Sequence, residues 1–181
     1  MKLKRVINLY GGPGCGKSTI SAGLFYKMKA EGYSVEYVSE YAKDLTYEGR
    51  FEILQEDQLY IFGKQHRKIY RLKDQVEYII TDSPLLLPCV YYKYSDKPQI
   101  YDEKNFFRFV SSTYDSYPNM NIFIHRNYRY GYEYHGRIQS LKQAEELDEQ
   151  IKRILLDFCG TFIGVVSSDI TVDEIFEMIK E

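Results

Sequence analysis

The chain has 181 residues, within the roughly 100–200 of one self-supporting domain, and its 24 basic and 26 acidic side chains nearly cancel. With a pI of about 6.0, no general positive field is available to hold a nucleic-acid backbone, which excludes DNA binding through bulk charge but not through a local basic patch. Cys15, Cys89 and Cys159 lack zinc or disulfide-scaffold spacing, the apolar run in "MKLKRVINLYGG" is too short for a signal peptide, and no stretch approaches ~20 apolar residues, so the expectation is a cytoplasmic protein without membrane contact.

In chain order, apolar strand-like runs alternate with segments of helical period. A first strand is predicted at Arg5–Tyr10 and a first helix at Lys17–Glu31, closed by Gly32 at its C-terminal cap. Ser34–Glu40 reads as a second strand. Phe51–Lys73 carries Ile53, Leu54, Tyr60, Ile61, Ile69 and Leu72 at mostly helical intervals, predicting one long helix bent near Gly63. Val76–Asp82, Asn121–Arg126 and Thr161–Ser168 read as the remaining strands. Helices are expected at Leu85–Tyr94, Glu103–Tyr114, Ser140–Phe158 and Thr171–Lys180, the last two capped by Ser140 and Thr171. Asn127–Gln139 follows neither period and reads as an exposed loop. The nineteen tyrosines are expected mainly as half-buried wall with hydroxyls in water. Strands alternating with crossover helices imply a three-layer α/β protein with a mostly parallel five-stranded sheet and helices on both faces, in one domain spanning residues 1–181.

The stretch "NLYGGPGCGKST" makes this the P-loop NTPase arrangement. Gly11, then Gly16, Lys17 and Ser18, match the phosphate-binding spacing G-x-x-x-x-G-K-[ST] between a strand and a helix. Glycines at Gly12, Gly14 and Gly16 let successive amides, with that of Cys15, turn toward one anion, and the following helix adds its positive N-terminal end. Lys17 is placed to reach the β- and γ-phosphates of ATP, Ser18 to ligate Mg²⁺, and Thr19 to help bind the α-phosphate. Asp82, at the end of an apolar strand, meets the requirement for a carboxylate beside the metal, while a role as helix N-cap before "SPLLL" stays open.

Glu40 ends the second strand, at the sheet edge where ligands bind in open α/β folds, and can accept a proton from a substrate hydroxyl. Asp44 is a weaker rival, and a plain exposed acid is the alternative. The loop at 127–139 carries Arg129 and Arg137, with Arg126 at its entrance. It reads either as a lid that neutralises a transferring phosphoryl group or as a solvated basic loop. No N-K-x-D guanine motif is present, which points to ATP. With one sheet's worth of strands, the helical lid of a hexameric motor is not expected.

With these residues in order, the chain resembles the P-loop kinases of nucleosides and nucleotides. It is most similar to the AAA-type ATPase/kinase family that includes the ribosylnicotinamide kinase domain of the bacterial NAD-biosynthesis regulator and many short phage-encoded proteins. The resemblance runs through "GGPGCGKST", "VSEYAKDL", "LQEDQLYIFGKQHRKI", "IITDSPLLL" and "HGRIQSLKQAEELDEQIKRIL". It implies catalytic Lys17, Glu40, Asp82, Arg129 and Arg137, with Ser18 and Asp82 at Mg²⁺. The arginine that deoxynucleoside kinases carry after the third-strand acid is replaced by Ser83, which argues against that subfamily. Arg50, Gln58, Gln65 or His66 could recognise a base or sugar, or form an ordinary polar face. The leading expectation is an ATP- and Mg²⁺-dependent kinase acting on a small nucleoside, nucleotide or ribosylnicotinamide-like acceptor. The alternatives are a kinase of hydroxymethylpyrimidines in phage DNA and a regulatory ATPase. The oligomeric state stays open, a homodimer being one option.

Overall fold

The computed structural model describes residues 2–132 and 139–180. Its element order is β1 (Arg5–Tyr10), α1 (Lys17–Ala30), β2 (Val35–Val38), α2 (Tyr41–Tyr47), α3 (Phe51–Glu56), α4 (Gln58–Tyr70), β3 (Tyr78–Thr81), α5 (Leu87–Tyr94), α6 (Glu103–Tyr114), β4 (Asn119–His125), α7 (Leu141–Cys159), β5 (Ile163–Val166) and α8 (Thr171–Lys180), with a short 3₁₀ turn at Tyr128–Tyr130.

The five strands pair in the order β2-β3-β1-β4-β5, every pairing parallel, as the alternation of strands and helices predicts. β1 lies between β3 and β4, so the chain passes from one side of β1 to the other after β3, and the carboxyl end of β1 is the switch point where open α/β sheets bind ligands. Side chains alternate about the sheet. Val6 and Tyr10 of β1, Ile79 of β3 and Phe123 of β4 enter one core with Phe62, Leu87, Val110, Leu147 and Ile151 from α4 to α7. Ile7 and Leu9, Ile80, Ile122 and Ile124 enter the other, against Leu24 and Met28 of α1 and Phe176 of α8. Asn8 interrupts the apolar run of β1, and its amide donates to Asn119 (2.9 Å) and Asn121 (3.1 Å) of β4. Buried amides satisfied in this way hold the register of the two central strands.

Several local departures from the sequence expectation have identifiable causes. The long helix predicted over Phe51–Lys73 is two helices broken at Asp57, not one bent near Gly63. Asp57 leaves helical geometry and accepts a hydrogen bond from the Tyr60 amide (2.9 Å), starting α4 as its cap. Gly63 sits inside an unbroken α4. The second strand stops at Val38 and is followed by α2, a helix too short for a clear apolar period to reveal it. Ser140 caps α7 as expected, in a full capping box with Gln143. Thr171, expected as a cap, is instead the first helical residue of α8. Its hydroxyl accepts from the Ser168 amide and donates to the Val166 carbonyl, both at 2.8 Å, which ties β5 to α8. Tyr10, Tyr78, Tyr114 and Tyr117 are core residues, so part of the tyrosine complement is interior packing and not wall.

Candidate active site

The loop after β1 takes the shape that its glycines allow. Gly14 and Gly16 have φ of 79° and 99°, a left-handed region that L side chains avoid. A Cβ on Gly14 would also lie 2.7 Å from the Tyr132 ring, and one on Gly16 2.8 Å from the Ser167 hydroxyl. Gly16 is the N-terminal cap residue of α1 and supplies no side chain to satisfy the helix's first amides. Those donors stay available to an anion. The Lys17 ammonium is held across the loop mouth, donating to the carbonyls of Gly11 (2.6 Å) and Gly12 (3.1 Å).

Ser18 and Asp82 meet at the base of the loop, the Ser18 hydroxyl donating to Asp82 Oδ2 at 2.6 Å. The Tyr37 hydroxyl donates to the same oxygen at 2.8 Å. Burial, then the Asp82 carboxylate, pushes that Tyr37 hydroxyl well above its ordinary pKa, keeping it a donor. Asp82 is 2% exposed, and its Oδ1 has no hydrogen-bond partner among the described residues. A buried carboxylate oxygen left unpaired is costly, and an oxygen-only pair of carboxylate and hydroxyl suits Mg²⁺, whose remaining positions are commonly filled by water and substrate phosphates. The residues present therefore fit the metal that the loop motif implies.

A cavity of about 680 Å³ extends from this loop, lined at one end by Gly14, Gly16, Lys17, Ser18 and Thr19. Glu40 lines the same cavity, whose far wall comes from α2 to α5 with Gln143 and Glu146 of α7. Burial raises the Glu40 carboxyl above its usual range; the Lys17 ammonium opposes the shift and the Asp82 carboxylate adds to it. Glu40 is the cap residue of α2 yet makes no capping bond with its own side chain. The work is done from α4, where buried Gln65 accepts the Tyr41 amide at 3.0 Å and donates to the Thr81 hydroxyl at 3.3 Å. Gln65 thus fixes the start of α2 and leaves the neighbouring carboxyl free to face the cavity. Tyr91 shares the space, its hydroxyl pushed up by burial first and by the Glu40 charge second.

The other predicted residues are distributed unevenly. Gln58 and Gln65 line the far wall. His66 faces away, stacked on Phe62 and hydrogen-bonded to the Tyr117 hydroxyl at 3.0 Å. Asp44 pairs with Lys68 (3.4 Å) and Arg50 precedes α3, neither lining the cavity. Arg129 is exposed on the 3₁₀ turn and also stands off the cavity, while Arg137 lies outside the described residues. The Cys15 side chain is buried against Gly11, so only its main chain bears on the loop. The Gly12 amide, expected to face the anion, is bonded to Asp148 of α7. Tyr37 and Asp148 were not singled out by sequence reasoning. A readable signal existed only for Asp148, a carboxylate on the apolar face of α7 among Ala144, Leu147 and Ile151.

A parallel five-stranded sheet between helices, with a glycine loop and a lysine at the carboxyl end of its central strand, defines the P-loop NTPase fold. The chain belongs to the AAA domain family, whose description matches residues 6–171. Among curated proteins, none matches the sequence. Among solved structures, deoxyadenosine kinase from M. mycoides, with products dCMP and a flexible dCDP bound, is similar at 21% identity and a TM-score of 0.55, covering 97% of this chain and 96% of that one. NadR protein in complex with NR is similar at 16% identity and a TM-score of 0.67, covering 97% of this chain. The chain spans only 49% of the NadR chain. At these identities both likenesses concern the fold.

Proposed function

We propose that the protein is an ATP- and Mg²⁺-dependent phosphotransferase that moves the γ-phosphate to a hydroxyl or phosphate of a small acceptor of the nucleoside class. The observation that carries the reading is the continuity of the cavity: one space is lined by the phosphate loop, by a separate, partly apolar wall and by the half-buried Glu40. A nucleotide switch needs only the first of these parts. The far wall mixes Leu54, Ile61, Leu87 and Tyr91 with Gln58 and Gln65, a composition that suits a flat heterocycle and a sugar. Its charged residues are of both signs, Lys43 and Lys97 beside Asp96 and Glu146, which favours a small molecule over a DNA strand. That solved structures of similar fold hold dCMP, dCDP or NR agrees with such an acceptor.

In this reading the loop amides and Lys17 bind the triphosphate and orient its terminal phosphorus. Ser18 and Asp82 hold Mg²⁺, which when bound supplies charge neutralisation on the phosphate oxygens. Glu40 takes the proton from the acceptor hydroxyl as the oxygen attacks in line. A carboxyl whose pKa is raised by burial is a stronger base than an exposed one, at the cost of a smaller ionised fraction at low pH. Arg129 and Arg137, on the 127–139 segment, are proposed to meet the charge on the transferring group. From its exposed turn Arg129 reaches it only if that turn folds inward.

The test is transfer of label from γ-labelled ATP to a panel of nucleosides, nucleoside monophosphates, ribosylnicotinamide and hydroxymethylated DNA. The expected result is a labelled small-molecule product with wild-type protein, and with Glu40→Gln a fall of about 10²-fold or more in transfer at unchanged ATP affinity. Phosphate release at one rate whatever acceptor is added would instead identify a hydrolytic regulator.

A further inference from the structure

Arg126 leaves β4 where a lid arginine is expected, but its side chain is turned inward and only 6% exposed. One guanidinium nitrogen donates to the Pro13 carbonyl of the phosphate loop at 2.9 Å, and the other to Asp148 Oδ2 on α7 at 3.0 Å. The second oxygen of Asp148 accepts the Gly12 amide of the same loop. Two consecutive loop residues are therefore gripped by opposite charges that are themselves paired. The approach is close enough that a Cβ on Gly12 would lie 2.4 Å from the Ala144 carbonyl of α7 and 2.8 Å from the Asp148 carboxylate. The Tyr132 ring, which covers Gly14, has the Arg126 guanidinium 5.8 Å from its centre, and its hydroxyl donates to the Gln139 carbonyl at 2.8 Å.

We propose that Arg126 and Asp148 form a positioning pair that sets the phosphate loop for its anion and joins that loop to α7, with neither side chain acting on the phosphate itself. The proposal rests on the nucleotide-binding reading above and adds to it the residues that shape the loop. Electrostatics give the reason for a pair. A lone carboxylate so close to the loop would repel a polyphosphate, and a lone buried guanidinium would carry an unpaid desolvation cost. Together they are neutral, satisfy the Gly12 amide and the Pro13 carbonyl, and leave the amides of Gly14 and of Gly16 to Ser18 for the ligand. An arrangement of this kind is pre-organisation: the loop is held in shape before the ligand arrives.

Binding of a non-hydrolysable Mg-ATP analogue, measured by calorimetry well below the melting temperature with circular dichroism confirming the fold, tests the proposal. Asp148→Asn turns an amide NH₂ toward the guanidinium, and Arg126→Met releases Pro13. Each is expected to weaken binding about tenfold, the size of one charge-assisted hydrogen bond, and the double variant to be no weaker than the worse single one because the two act as a unit. If either single variant fails to fold, Arg126→Lys keeps a charge for Asp148 but cannot also reach Pro13, and a several-fold loss is expected. Folded variants that bind as tightly as wild type, or two losses that simply add, overturn the pair and reduce it to scaffold. Wild-type protein that binds no nucleoside triphosphate overturns the nucleotide reading, and this proposal with it.

Discussion

One end of the cavity is lined by residues close together in sequence, between Gly11 and Thr19; the other by side chains of five helices and the segment after α5, spread from Ala42 to Glu146. The first end offers main-chain amides and one lysine, in a shape that positive-φ glycines set and that tolerates little substitution. The second offers side chains, the apolar Leu54, Ile61 and Tyr91 beside the amides of Gln58 and Gln65. On the proposed function, binding of a polyphosphate is separated from choice of acceptor, and mutations at the two ends should fail in different ways.

The largest effect is expected at the phosphate end. Lys17→Ala removes the cation at the loop mouth, and Mg-ATP should no longer raise the melting temperature while turnover falls by about 10²–10³-fold. Retained thermal stabilisation by Mg-ATP would show that the two ends are not divided in this way. The far wall is sharpened by Gln65→Leu. The Tyr41 amide then loses its acceptor, which should cost about 1–3 kcal/mol of stability in chemical denaturation and displace Glu40, lowering transfer more than ATP binding. An equal loss in both would mean that α2 also shapes the phosphate site.

A subtler prediction concerns Glu40, which lines the same cavity. Its folded pKa is raised, so the folded state holds a proton that the unfolded chain has released. Stability contributed by this group is therefore present at low pH and declines as pH rises through the region above the ordinary value of 4.5. Melting temperature against pH should show that decline in the wild type and a flatter profile in Glu40→Gln; superimposable profiles would show that the carboxyl is not held in a desolvated site. The smallest expected effect is at Cys89, whose thiol burial pushes up to about 12. Because the thiolate is the reactive form, alkylation near pH 8 should leave Cys89 unmodified until the protein unfolds.

How much of the site could be read from the chain follows the same division. The loop from Gly11 to Ser18 was legible because its shape depends on residues adjacent in sequence, and no distant partner is needed to give glycine its freedom. Asp82 and Glu40 were legible as acids at the carboxyl ends of strands. The break at Asp57 was not, since the apolar residues keep a helical period across it and only the cap geometry shows that the helix restarts. Gln58 and Gln65 were found together with Arg50 and His66, which occupy the same stretch but do not reach the cavity. Helical period alone could not separate them, because the face of α4 that meets the sheet depends on how α3 turns into it.

The amino-acid order by itself determined the alternation of strands and helices, hence a parallel sheet, and the phosphate loop at the end of its first strand, since both follow from local backbone preference and the period of apolar side chains. Only the tertiary structure decided that Tyr37 and Ser18 share one oxygen of Asp82, that Gln65 holds the start of α2, and that Arg126 and Asp148 clasp the loop from behind. Each of these joins residues far apart along the chain, in a geometry set by how helices pack on a twisted sheet, and no periodicity in a sequence encodes that distance.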